Sequence, residues 1–323
     1  MAPQIDPASA LLFVINVSAG ATDLDAKRAV IKAALEEAGR AGELLVCSPG
    51  ELPRVAAQAA AAAVARNSAV IAVGGDGSLN TVVQAVYAAG CAVGVIPYGT
   101  FNYFARTHGI STQPAVAARE LLHADVTPVQ VSAVNDTLFL VNASLGLYPE
   151  LLEDREAYKQ RLGRSRWVAF AAACATLLRA QRNLRLHIES GISVRDIRAL
   201  TLFVGNNRLQ LAQLGVKPDD TVAGTPGHGS LAAVILRPVS TLSMIRLMLH
   251  GAMGTLGEAA GVDQMEFEHM VVKPTLVYGR RKVKVAFDGE VALMHAPLDF
   301  RVLAKPLYLL KPVSTPDKQG AKP

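Results

Sequence analysis

The segment around residues 69–90 most constrains the fold. An apolar run, Ala69 to Val73, leads straight into Gly74-Gly75-Asp76-Gly77-Ser78-Leu79-Asn80, and a helix-patterned stretch, Thr81 to Ala89, follows and stops at Gly90. A short run that is apolar at every position fits a strand covered on both faces, as in parallel sheets. Without a Cβ, glycine enters backbone regions closed to other residues, so the chain can turn sharply from strand to helix. The same missing Cβ lets an anion approach the N–H groups of a helix start. The segment predicts strand, glycine turn and helix, with a backbone cradle for phosphate at Gly74, Gly75 and Gly77. An ordinary βα turn gives the same pattern, because glycine-rich turns are common.

The alternation continues on both sides. Leu11 to Val17 reads as a strand, Asp25 to Gly39 as a helix, Glu43 to Cys47 as a strand and Leu52 to Arg66 as a helix; Ala92 to Ile96 reads as another strand and Pro114 to His123 as a further helix. This predicts an α/β N-terminal domain, a parallel sheet with helices on both faces, whose ligand side lies at the carboxyl ends of the strands. Beyond Val126 the pattern changes to short alternating strands at Val129 to Val134, Thr137 to Val141, Thr201 to Val204, Val234 to Leu236 and Val283 to Phe287. Helical segments at Arg155 to Arg182 and Thr241 to Met253 interrupt them, which predicts a β-rich, mainly antiparallel C-terminal domain. The chain of 323 residues is long enough for two cores. The boundaries are drawn at 1–128 and 129–303, with a polar, proline-containing tail at 314–323 expected to be flexible.

Three more stretches stand at strand ends: Asn16-Val17-Ser18-Ala19-Gly20, Pro97-Tyr98-Gly99-Thr100-Phe101-Asn102-Tyr103-Phe104-Ala105-Arg106 and Phe287-Asp288-Gly289-Glu290. Asn16, Ser18 and Gly20 occupy the first βα turn, where polar side chains beside a glycine can wrap a nucleotide. Ser78 and Asn80, and likewise Thr100 and Asn102, either cap the following helix or bind phosphate. Asp76 can bind a nucleotide or its metal, or satisfy N–H groups of its own turn. Ser48, at the end of the second strand, is a weaker candidate for the same cleft. Asp288 and Glu290 place two carboxylates about one glycine, which suits a proton acceptor and a partner that orients the substrate or holds metal; Asp-Gly is also the strongest short hairpin signal.

In their order and spacing the four stretches resemble the motifs of the diacylglycerol kinase and sphingosine kinase family, and within it the bacterial lipid kinases: NPxSG, GGDGTxN, PxGTxNDFA and a late DGE. The resemblance implies an ATP-dependent kinase, working with Mg²⁺, that moves the γ-phosphate of ATP to the free hydroxyl of diacylglycerol or a related membrane lipid. It implies that the GTxN segment completes the nucleotide cleft and that Asp288 and Glu290 form the catalytic end, without choosing between them. It further implies that a strand around Leu307 to Leu310, within 304–313, returns to the first domain. Two departures bear on substrate and metal. Tyr103 stands where many relatives have Asp, and His228-Gly229 stands where bacterial relatives often carry an Asp-Gly pair that binds a structural Mg²⁺, so that second metal site is not assumed. An NAD kinase-type enzyme shares the GGDG loop and two-layer plan, but its threonine- and glycine-rich second-domain motif is not found. A lipid or nucleotide sensor without catalysis is the alternative of a different class; the intact acidic pair argues against it.

Composition narrows the setting. The hydrophobic share of 51% against 18% charged residues excludes a disordered chain. No Lys or Arg precedes Lys27, so a secretory leader is not expected. The apolar stretch Trp167 to Leu178 is shorter than the roughly 20 residues a spanning helix needs. Between Arg155 and Arg185 stand eight Lys or Arg against the single acidic Glu156, together with Trp167. That suits peripheral contact with anionic lipid at the inner membrane face, or equally a core helix with solvated ends. Cys47, Cys91 and Cys174 show no pairing or metal spacing, which fits three core thiols in a reducing cytoplasm. A net charge of +5 permits nucleic-acid binding, but no reader motif supports it. A homodimer is left open.

Overall fold

The computed structural model describes residues 2–20, 22–146, 184–191, 193–206, 229–238, 262–275 and 281–312. The chain divides into two units, one of residues 1–129 with 305–323 and one of 130–304.

The first unit is an α/β layer structure. Its sheet has the order β2-β1-β3-β4-β18-β5, built from β1 Leu11–Asn16, β2 Gly42–Cys47, β3 Ala69–Gly74, β4 Ala92–Pro97, β5 Asp125–Val129 and β18 Leu307–Lys311. The first four run parallel, and β18 pairs parallel with β4 and antiparallel with β5. Every residue of β1, β3 and β4 is buried, as a sheet covered on both faces requires. Leu11, Phe13 and Ile15 of β1 share a core with Ile31, Ala34 and Leu35 of α1 (Leu24–Glu37) and with Ala118 and Leu121 of α5 (Pro114–Leu122). Strand periodicity turns the alternate residues Leu12 and Val14 to the opposite face. There α2 (Leu52–Ala65) and α3 (Asp76–Ala89) pack on each other and on the sheet. Cys47 and Cys91 are buried free thiols.

The second unit holds two six-stranded sheets, ordered β10-β9-β14-β17-β6-β7 and β13-β12-β11-β8-β15-β16. The first comprises β6 Ser132–Val134, β7 Thr137–Phe139, β9 Leu184–Ser190, β10 Ser193–Ala199, β14 His269–Pro274 and β17 Leu298–Val302. The second comprises β8 Asn142–Gly146, β11 Thr201–Gly205, β12 Leu231–Leu236, β13 Val262–Phe267, β15 Lys282–Phe287 and β16 Glu290–His295. One core takes side chains from both, among them Ile188, Met270 and Phe300 from the first and Leu145, Val204 and Val285 from the second.

Three boundaries differ from the sequence reading. The helix expected from Thr81 starts at Asp76, so most of the glycine motif is the first turn of α3. The strand expected over Val129 to Val134 is two strands in two units: Val129 pairs with Leu307, whereas Ser132 pairs with Val302. The strand expected over Thr137 to Val141 ends at Phe139, because the next N–H groups turn to a carboxylate 147 or 148 residues away in sequence. The helical readings at 155–182 and 241–253, the tail at 314–323, Cys174 and His228 lie outside the described residues.

Candidate functional site

Parallel pairing brings the carboxyl ends of β1, β3 and β4 side by side, and the loops that follow them meet. Asn16 is buried; its amide donates from Nδ2 to Ser78 Oγ at 2.8 Å and its Oδ1 accepts from Ser18 N at 3.0 Å. The first turn is thereby tied to the first turn of α3. Tyr98 N donates to Gly74 O at 2.8 Å, which joins the β3 and β4 loops. Asn102, buried and at φ 50°, turns its side chain back on its own loop: Oδ1 accepts from Gly99 N at 2.9 Å and Nδ2 donates to Gly99 O at 3.0 Å.

The glycines serve a purpose the sequence did not reveal. A Cβ on Gly20 would lie 2.3 Å from Tyr98 O, one on Gly74 would lie 2.7 Å from Ser78 Cβ, and one on Gly99 would lie 2.8 Å from Gly75 Cα. Gly20 and Gly99 therefore let the loops lie against one another, and Gly74 lets its own turn close on Ser78, a different demand from clearing space for an anion. Helix capping is likewise not the work of Ser78 and Asn80. The N-cap of α3 is Gly75, with no side-chain cap. Ser78 accepts from Asn16, and Asn80 Oδ1 accepts from Gln84 Nε2 at 3.0 Å. The first intrahelical bond of α3 is Leu79 N to Gly75 O, so the N–H groups of Asp76, Gly77 and Ser78 precede the ladder at its positive end.

Asp76 opens α3 and its Oδ2 accepts from Tyr103 N, in α4 (Tyr103–Thr107), at 3.4 Å. Burial raises its pKa, while N–H groups of Tyr103, Phe104 and Asn102 and the charge of Arg106 oppose the rise. Thr100 is exposed. Phe101 and Tyr103 are stacked with centroids 5.3 Å apart and are 43% and 40% exposed, so the departure at Tyr103 replaces a charge with part of an open aromatic surface. Ser48 is turned to its own helix start: its hydroxyl donates to Glu51 Oε2 at 2.7 Å and its N–H to the same oxygen at 3.1 Å. Nothing ties Ser48 to the other three loops among the described residues.

The acidic pair stands in the other unit, on the β15–β16 hairpin. Phe287 pairs with Glu290, and Asp288 and Gly289 turn with φ 48° and 90°, the positive values of a type I′ turn. The hairpin reading holds, and the two carboxylates differ. Asp288 is buried and accepts from Leu140 N at 2.7 Å, Val141 N at 2.8 Å and Asn142 N at 3.1 Å. Glu290 is exposed, and desolvation of its carboxyl pushes the pKa up.

Lys27 and Asn206 are buried polar residues that the sequence does not single out. Lys27 is fully buried in α1 beneath the first turn. Asn206, 1% exposed, donates from Nδ2 to Leu140 O at 3.0 Å and to Gln130 O at 3.1 Å, and its Oδ1 accepts from Ser132 Oγ. A Lys inside an amphipathic pattern and an Asn after a strand carry no local signal of burial. Among the described residues no three His, Cys, Asp or Glu gather as a metal cluster. Asp76 is the carboxylate at the loop cluster that could hold a metal.

These features define an α/β protein whose glycine-bearing loops form one polar site at the carboxyl ends of parallel strands. Residues 10–134 match the diacylglycerol kinase catalytic domain. The match covers most of the N-terminal unit and the first residues of the second. A Staphylococcus carnosus protein named "Putative lipid kinase" is 38% identical over 91 residues, 28% of this chain and 30% of its own. One of the same description from Staphylococcus aureus strain JH9 is 25% identical over 73% of this chain and 75% of its own. An uncharacterized Synechocystis protein is 26% identical over 76% of this chain, which spans only 55% of it. The crystal structure of a diacylglycerol kinase from Bacillus anthracis shares the fold with a TM-score of 0.65 at 17% identity, over 94% of this chain and 96% of that one.

Proposed function

We propose that this chain is an ATP-dependent lipid kinase that transfers the γ-phosphate of ATP to the free hydroxyl of diacylglycerol or a related membrane lipid. The family match and the names of the relatives support a lipid kinase. The observation that carries the reading is the junction of Asn16, Gly74 to Ser78 and Gly99 to Asn102 at one edge of the sheet. Uncapped N–H groups at the start of α3 suit phosphate oxygens, and Asp76 beside them suits the Mg²⁺ that spreads phosphate charge when bound. The lipid hydroxyl attacks the γ-phosphorus, the bond to the β-phosphate oxygen breaks, and the hydroxyl proton goes to a carboxylate. Glu290 fits that role: its pKa is raised toward the working pH, and among the described residues no hydrogen bond occupies it. Asp288, engaged by three N–H donors, sets the turn that presents Glu290. Arg164, Arg166 and Arg179 in the basic stretch 155–185 would hold the enzyme on anionic membrane, and their replacement by Gln should weaken vesicle binding by about 1 kcal/mol per charge. Among the described residues no helix is long and apolar enough to cross a membrane.

Radiolabelled ATP offered with a panel of lipids and with NAD tests the reading. Label in a lipid, dependent on Mg²⁺, is the expected result. Label in NADP alone would assign the protein to the NAD kinases, and no transfer, with ATP bound, would favour a sensor.

A further inference from the structure

One buried charge has no part in the chemistry above. Lys27 is 0% exposed. Its ammonium donates to Ala19 O at 2.6 Å, to Asn16 O at 3.3 Å and, at the limit of reach, to Val17 O at 3.5 Å. It also lies 5.4 Å from the centre of the Tyr98 ring, whose face attracts a cation. Among the described residues no carboxylate comes within ion-pair distance of it. Burial lowers its pKa, partly offset by the charge of Asp23. An ammonium withdrawn from water without a paired carboxylate is costly, and a Leu or Met in this helix position would avoid that cost. The compensation consists of carbonyls from a single short loop, 16–19, and the ring of a second loop.

The loop so gathered is the one that joins the other two. With its carbonyl edges drawn toward α1, Asn16 directs its amide to Ser78, and its Oδ1 holds Ser18 N. Tyr98, beside the ammonium, carries the carbonyl against which Gly20 packs. We infer that Lys27 is a positioning residue of the nucleotide site: from beneath the loop, it holds Asn16 and Ser18 in register with the start of α3. The inference rests on the nucleotide reading given above.

Calorimetry with ATP on the full chain tests it, using Lys27→Met, Asn16→Ala and the double variant, with thermal melts and steady-state kinetics alongside. Lys27→Met should weaken ATP binding by about tenfold or more, because small displacements of positioning groups have effects of that size or larger. KM for ATP should rise while kcat at saturating ATP stays near the parent value, since the residue touches no reacting atom. If Lys27 acts through Asn16, the double variant should lose less than the product of the two single losses. A lowered melting temperature with parental ATP affinity in the folded protein would make Lys27 merely structural and overturn the inference. Should Lys27→Met fail to fold, Asn16→Ala still decides, because unchanged affinity there removes the route through which Lys27 is held to act. Absence of ATP binding by the parent would overturn the nucleotide reading and this inference with it.

Discussion

The loop cluster of the first unit and the acidic hairpin of the second are both built on glycine, for opposite reasons. In the cluster, glycine is required by what lies beside it: Gly20, Gly74 and Gly99 would each place a Cβ within 3 Å of a neighbour. In the hairpin, nothing lies within 4 Å of a Cβ on Gly289, and glycine is required only by its φ of 90°. The carboxylates divide in the same way. Asp288 is bound into backbone far away in sequence, whereas Glu290, two residues on, stands open. A residue's type and place in a motif therefore do not say whether it works through its neighbours or alone.

The sharpest way to break the contrast is at the two acids. Glu290→Gln should lower turnover by about 10²- to 10⁴-fold, the usual loss of a general base, with melting temperature and ATP affinity near parental. As a base Glu290 must be ionised, so parental kcat/KM should fall as the pH drops through its raised pKa. The acid limb then lies above the ordinary Glu value of about 4.3, and the Gln variant should lack it. Near-normal turnover in the folded Gln variant would sink this assignment.

Asp288→Asn keeps the shape but offers one acceptor oxygen where the carboxylate offers two. Urea denaturation should show a loss of about 2–3 kcal/mol, the cost of leaving buried donors unsatisfied at a charged acceptor. A midpoint equal to the parent's would mean that the three N–H contacts carry no stability and that the two acids are alike.

The glycines give smaller effects. Gly20→Ala combines overlap with Tyr98 O and a φ of 73°, so about 2–3 kcal/mol should be lost, with weaker ATP binding. Gly75→Ala meets Gly99 Cα at 3.2 Å and should cost less, though enough to shift the loop. Gly289→Ala meets nothing and should cost only the left-handed backbone term, about 1 kcal/mol. Equal losses at Gly20 and Gly289 would dissolve the distinction between packed and open glycine.

Much of the first unit was legible because its information is local. An all-apolar strand, a glycine turn and an amphipathic helix each announce themselves within a dozen residues, and parallel pairing then places Asn16, Gly74 and Pro97 at one edge. The second unit was only partly legible. The sequence pattern does not single out β8, β9, β10, β13, β14, β16 and β17, since short, half-exposed strands such as Val262–Phe267 show little alternation and owe their existence to partners across a sheet. The start of α3 is not legible locally because Asp76 and Gly77 are poor helix formers alone, yet tertiary bonds from Asn16 to Ser78 and from α4 to Asp76 hold this first turn.

Residue chemistry and spacing by themselves determined the α/β class of the first unit, the family resemblance, the candidate loops and the acidic pair. Tertiary structure alone decided that Lys27 is buried, that Asp288 faces Leu140 to Asn142, and that the glycines serve loop packing. The reason is physical. A covalent neighbour's influence is written in the chain, whereas the desolvation of an ammonium or the saturation of a carboxylate depends on groups that only folding brings within 3 Å.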